Sequence, residues 1–354
     1  MQNRQASRVR FVVTRVLLGA IVALGTTVAA VAVRAADPTA QELHFLYEVN
    51  RARHDPPAWA AEYGLGAQNG GDGQPVTLIG VEPRPPLALN TTLVNSARFK
   101  AQELATNNYF GHQSQVGPNF YWPNELARNV FGYPLAMHVP DSCVPSCYSL
   151  FDDANQIESL AAGYGSGTAD RTKGVNVVIG LIVDSGVPSL GHRLHLLAMT
   201  DFNAVFVEAG PGYGVSLTAD YVNYWAFHTG VKANVETFLT GVAFSDGNGN
   251  SLFDPGEGLA GVTVQAGLLF ATTGATGGYS LLIPSGTHAV TCSGGGFGGT
   301  AAASVGVIGF NRELDCISGQ AGAIVDFVPE PGAAALGLAA AAALLATRRL
   351  RGRA

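Results

Sequence analysis

Two histidines stand three residues apart in Gly191-His192-Arg193-Leu194-His195-Leu196-Leu197, a stretch that reads as the opening turn of a helix. At that spacing both imidazoles share one helix face, with Leu194, Leu196 and Leu197 supplying the apolar remainder. Only eight histidines occur in the chain, so this pair marks a candidate site. Neutral imidazoles serve as divalent-metal ligands or as general bases, and they serve equally as hydrogen-bonded core groups. Which role applies depends on what the rest of the chain brings to them.

Several chemistries are absent. No His-Glu-x-x-His segment places two ligands and a base on one helix. No serine lies in a Gly-x-Ser-x-Gly context. The four cysteines fall into two sequence-local pairs, Cys143 with Cys147 and Cys292 with Cys316. An even count in an exported chain favours disulfides over nucleophiles. Four cysteines allow three connectivities, and local pairing is the expectation: a small loop staple between Cys143 and Cys147, and a clasp between Cys292 and Cys316.

The chain is 354 residues long, enough for about two domains. Hydrophobic residues make up 47% and charged residues 13%, with 45 Gly and 18 Pro, a profile that suits strands and tight turns better than a helix bundle. Nine of the 20 Lys and Arg lie in residues 1–36 and 348–353, so the body between them is more acidic than the net charge of −6 implies. Such a body repels phosphate backbones, which excludes nucleic acid as a partner.

Both ends read as processing segments. Arg4, Arg8, Arg10 and Arg15 precede an apolar run from Val16 to Val33, and cleavage after Ala35 would complete a signal peptide over 1–35. At the other end Pro329-Glu330-Pro331 precedes an Ala/Leu/Gly run from Gly332 to Thr347 and an arginine cluster. Segment 329–354 resembles a PEP-CTERM sorting signal. That resemblance implies a short transmembrane helix, exosortase-type sorting machinery as a partner, and a transient inner-membrane anchor. It places the exported protein at the cell envelope or outer surface of a Gram-negative bacterium.

Within 37–232, Thr39-x-x-Glu42 forms a capping box opening a helix striped by Leu43, Leu46, Val49 and Arg53. A short helix follows over Ala58–Tyr63. Asn90 caps a second long helix striped by Leu93, Ala97, Ala101 and Leu104, which stops just before His112. His44 and His54 read as solvated helix residues, and Trp59, Trp122 and Trp225 as core or cleft-wall aromatics.

The order Tyr109-Phe110-Gly111-His112, Glu125-x-x-Arg128, Gly132-Tyr133, Ile157-Glu158-Ser159, Gly191-His192-Arg193 and the aromatic strand Tyr221–Phe227 resembles the CAP superfamily in its bacterial branch. The resemblance implies an α+β fold: a three-layer α-β-α sandwich around a central antiparallel sheet, with a cleft lined by two histidines and two acids that can hold a divalent metal such as zinc. His112 and His192 match the histidines. Glu158 matches the first acid, although Gln156-Ile157 and Ser159 depart from the family's Gly-Glu-Asn. Asp184 lies where the second acid is expected, without the usual tryptophan. His195 stands where many bacterial members carry asparagine, as a bystander or a partner behind His192.

From 237 to 328 the texture shifts to short Val/Thr/Phe runs, Phe238–Phe244, Gly261–Gln265, Tyr279–Ile283 and Thr287–Thr291, which suggest a small antiparallel β-sandwich. Between the first two, Asp246, Asn248, Asn250, Asp254 and Glu257 occupy positions 1, 3, 5, 9 and 12 of a calcium loop, with the Leu252 carbonyl at position 7. Ser251 stands where the loop pattern has glycine. An Asx-rich turn without an ion is the alternative. With Gly258–Val264 and Thr276–Leu281, the segment resembles the SdrD-type B repeat, a prealbumin-like module in which calcium stiffens a stalk.

These readings lead to a non-catalytic protein binding a metal, a small apolar ligand or an envelope or matrix component. A metal-dependent hydrolase using His112, Glu158 and His192 is the second reading, and a purely structural adhesin the third.

Overall fold

The computed structural model describes residues 37–115, 120–138, 149–165, 170, 172–319 and 324–327. The architecture is mixed α+β, and from residue 37 the described chain forms one continuous body. The helices are α1 Ala40–His54, α2 Pro56–Glu62, α3 Thr91–Asn107, α4 Pro123–Glu125, α5 Gly174–Val183 and α6 Gly191–Leu196. The strands of the first half are β1 Ala88–Leu89, β2 Glu158–Gly163, β3 Glu208–Val215 and β4 Asn223–Gly230. They form one sheet in the order β1-β3-β4-β2, in which only β1 and β3 run parallel.

α1 starts where the capping box requires. Thr39 Oγ1 accepts from Glu42 N at 3.2 Å, while the Glu42 carboxylate accepts from Thr39 N at 2.7 Å. Asn90 caps α3 by accepting from Thr92 N and Leu93 N. Side-chain alternation along β4 divides the packing between the two faces of the sheet. Trp225 and Phe227 pack with Phe45 of α1, whereas Tyr224 and Ala226 pack with Ala97, Ala101 and Leu104 of α3.

On β3, three alternate positions facing α3 are glycine. A Cβ at Gly210, Gly212 or Gly214 would fall 2.1, 2.0 or 2.4 Å from α3 backbone atoms, so the helix backbone lies directly on the strand.

The second half holds β5 Phe238–Phe244, β6 Thr263–Ala266, β7 Leu269–Thr272, β8 Gly278–Leu282, β9 Gly286–Ser293, β10 Thr300–Val307, β11 Arg312–Ile317 and β12 Ile324–Phe327. Two four-stranded sheets result, ordered β10-β9-β6-β7 and β12-β11-β5-β8. Both contribute to one core, with Val264, Val290 and Val305 from the first and Leu239, Leu281 and Leu314 from the second.

Of the two expected disulfides, one is present: Cys292–Cys316 links β9 to β11. The other, pairing Cys143 with Cys147, is not seen among the described residues. Both Cys143 and Cys147 fall in 139–148, which lies outside them.

The outer face of β5 and β11 packs on α1. Val242, Phe244, Phe253 and Ile317 cluster with Leu43 and Tyr47, and Phe253 N donates to Tyr47 Oη at 3.2 Å. Asn311 Nδ2 donates to Pro86 O and Val207 O, and Ser280 Oγ donates to Leu89 O. Helix α1 is thus covered on both sides, which corrects the expectation for His44: it is buried, edge-on to Phe253.

The expected transmembrane helix and inner-membrane anchorage are not borne out. Among the described residues no helix is long and apolar enough to cross a membrane. The longest, α3, has 17 residues and carries Arg98, Lys100 and Glu103. Residues 329–354, where that helix was expected, lie outside the described residues, as does segment 1–35, expected as a signal peptide.

Candidate functional site

His112 follows the end of α3, where Asn108 takes a left-handed conformation (φ 50°) that asparagine adopts more readily than most residues. Its Nδ1 lies 2.8 Å from Glu158 Oε1. Glu158 opens β2 at the edge of the sheet and is buried. Its second oxygen lies 2.8 Å from His228 Nε2 on the neighbouring strand, and His228 Nδ1 is 3.1 Å from Ser96 Oγ of α3. Burial pushes the Glu158 carboxyl up. Hydrogen bonds from His112 and His228, and the charge of Lys100, more than offset this and hold it below its ordinary range.

The second histidine has its own carboxylate. Asp184, in left-handed conformation (φ 54°), ends α5 and is buried. Its Oδ1 lies 2.7 Å from His192 Nδ1, and its Oδ2 accepts from the backbone N–H groups of His192 and Arg193 at 3.0 and 3.4 Å. One side chain therefore fixes the ring and caps the first turn of α6. Arg193 completes the fastening by donating to Ile182 O and Val183 O.

His195 turns inward. Its Nδ1 lies 2.7 Å from Ser159 Oγ and its Nε2 2.8 Å from Thr229 Oγ1, so it ties α6 to β2 and β4. Burial, then the charges of His192 and Arg53, push it down to about 3. A ring so reluctant to take a proton is a poor base for Ser159, which is itself buried.

A cavity of about 620 Å³ is lined by His112, Glu158, Ser159, His192, His195 and Phe202 among others. The four residues expected at a cleft are therefore brought together, but as two separate imidazole–carboxylate pairs. The acids engage both rings at Nδ1, and both rings line the cavity. A second hollow of about 520 Å³ shares His112 and is walled by Tyr109, Phe110, Phe120 and Trp122. Among the described residues no group of three His, Cys, Asp or Glu side chains is gathered to hold a metal ion.

His228 was missed from the sequence. It lies in the aromatic strand two positions beyond Ala226, and the two-residue period of that strand places it beneath α3. Lys100, wholly buried with Nζ 2.7 Å from Tyr109 Oη, was missed although it stands three residues after Ala97 and four before Leu104, on the apolar face of α3 itself.

The 246–257 loop is ordered by its own side chains. Asp246 accepts from the N–H groups of Gly249, Asn250 and Ser251, and Glu257 from those of Gly247 and Asp254. Asn248 and Asn250 donate to Asp254 Oδ2 at 2.7 and 2.9 Å. Ser251, at the glycine position, has φ 60°, so the loop makes its left-handed turn without glycine. The carboxylates of Asp246, Asp254 and Glu257 are hard-cation donors by type, but among the described residues they accept from the loop itself and are not gathered into a metal-holding group.

The chain matches no family model and no curated protein.

Proposed function

We propose that the chain is a CAP-type binding protein with an appended prealbumin-like module, and that its cleft holds a divalent cation or a small ligand without turning it over. The observation that carries this reading is the pairing of each cleft imidazole with its own buried carboxylate, His112 with Glu158 and His192 with Asp184. Such bracing fixes the tautomer and makes Nε2 the ligating atom. His112 and His192 would hold the ion, zinc by ligand type, and the bound ion would supply a Lewis-acidic centre carrying water. Helices on both faces of β1-β3-β4-β2 fit the three-layer sandwich of the family, and the shared core of the other two sheets fits a β-sandwich. The depressed basicity of His195 argues against a serine hydrolase. We further assign calcium to the 246–257 loop through Asp246, Asn248, Asn250, Leu252, Asp254 and Glu257.

Zinc titration by calorimetry tests the cleft reading. The wild-type chain is expected to bind zinc saturably, and His112→Ala/His192→Ala to lose that binding while keeping its calcium response. Unchanged zinc binding in the double variant would overturn it. Peptide or ester turnover lost on His192→Ala, with melting unchanged, would move the assignment to a hydrolase.

A further inference from the structure

From Gly258 to Asn311 the sequence contains no Asp, Glu, Lys or Arg, although the whole chain carries 20 basic and 26 acidic residues. That stretch builds every strand of the β10-β9-β6-β7 sheet. Folded proteins ordinarily intersperse charge over their surfaces and blunt exposed sheet edges with charge, proline, bulges, short strands or a covering element.

Most edges of this protein carry such a device. β1 has two residues and β7 four. β2 opens on Glu158. β8 is covered: Leu43 and Leu89 lie over Gly278, and Ser280 bonds to Leu89. β12 includes Asp326.

Among the described residues β10 has none of them. It is eight residues long, Thr-Ala-Ala-Ala-Ser-Val-Gly-Val, without charge or proline. Its register against β9 runs unbroken from Thr300↔Ser293 to Val307↔Gly286, so no bulge interrupts it. Among the described residues it pairs only with β9; β11 and β12 approach across the seam between the sheets without pairing. Thr300, Ala302 and Ser304 are exposed, and Ile308 and Phe310 just beyond the strand are 71% and 38% exposed.

We propose that β10 is a self-association edge, and that two copies of the chain pair their β10 strands antiparallel about a twofold axis into one continuous eight-stranded sheet. The occupant is a second copy for an electrostatic reason. With a net charge of −6, two chains repel wherever their charged surfaces meet, but a β10 edge meeting its twin brings no like charges together. A twofold axis makes the one edge self-complementary. The outward side chains are small enough for strands 4.7–4.9 Å apart, and antiparallel pairing sets Ile308 of each copy near the Thr300 end of the other. The inference stands apart from the cleft assignment.

Sedimentation velocity on the full chain over a wide concentration series tests it. Wild type is expected to move from one chain mass to two as concentration rises, and more readily at higher salt, because screening removes the acidic repulsion. Ala302→Lys/Ser304→Lys should stay monomeric throughout, with an unchanged circular dichroism spectrum. Ser304→Lys alone, expected to weaken the dimer at least about tenfold, serves if the double variant does not fold. Thr272→Lys, on the opposite edge, should dimerise as wild type does. A wild type that stays monomeric at every concentration, association that survives the β10 lysines, or loss of the dimer on Thr272→Lys would each overturn the proposal.

Discussion

Asp315 and Glu313 lie two residues apart on β11, 1% and 2% exposed, where that strand packs beneath α1. Asp315 Oδ1 accepts from Val242 N at 2.8 Å, and Oδ2 has no hydrogen-bond partner among the described residues. The groups facing the pair from α1 are Tyr47, Glu48, Asn50 and Arg51, and Arg51 is already engaged by Glu48 and Glu62. Burial pushes Asp315 from its ordinary 3.8 up to about 7; burial and then repulsion from Asp315 push Glu313 well above its ordinary range.

A carboxyl whose folded value is raised binds its proton more tightly when folded. The stability it contributes is complete below about pH 4 and is lost as pH rises through about 7. At about 1.4 kcal/mol per pH unit, that interval amounts to about 4 kcal/mol. Asp315→Asn keeps an acceptor for Val242 N and removes the buried charge. The variant should therefore be more stable than wild type by about 2–4 kcal/mol near pH 8, and within about 1 kcal/mol of it near pH 4. Glu158 and Glu48 are held low and act in the opposite sense, losing stability as acid protonates them. Urea unfolding of both proteins across this range isolates the effect, because subtraction removes those shared contributions. A difference that stays flat with pH, or a variant weaker than wild type at pH 8, would refute the reasoning.

Two further outcomes follow from the loop and its anchor. Calcium should raise the melting temperature of the wild-type chain, and Asp246→Ala should abolish that rise, since linkage requires binding to the folded state; differential scanning fluorimetry with and without chelator reads both. Phe253→Ala removes a ring packed against His44, Tyr47 and Phe244 and should cost about 3–5 kcal/mol by denaturant unfolding.

Helices α1 and α3 were legible because their signals are local: both halves of the Thr39–Glu42 box and the Asn90 cap are made within three residues; α5, which has no side-chain cap, was not. Strand β3 was not, because Glu-Ala-Gly-Pro-Gly-Tyr-Gly-Val has the composition of a loop, and only the approach of α3 explains its glycines. His44 was misjudged because nothing near it in sequence announces that residues 242–253 lie over α1. At the cleft, the residue types and the spacing of Asp184 from His192 could be read. That a carboxylate could fix an imidazole was open from the residue types; which acid pairs with which ring was not, since it depends on how β2, α3 and α6 meet.

The glycines of β3 also bear on how freely this cleft can change. Where side chains set the spacing between elements, they can be traded for larger or smaller ones; a glycine pressed on backbone, as Gly174 of α5 also is on α1, leaves no such freedom. Between α3 and β3 backbone rests on backbone, and no residue is smaller than glycine. The height of α3 over the sheet is therefore at its lower limit, and His112, carried at the end of that helix, inherits a fixed elevation relative to Glu158. Variation that retunes the site has more room at the far end of α5 and in α6, where Asp184, Leu190 and Arg193 set the position of His192. One jaw of the cleft is a datum and the other is adjustable.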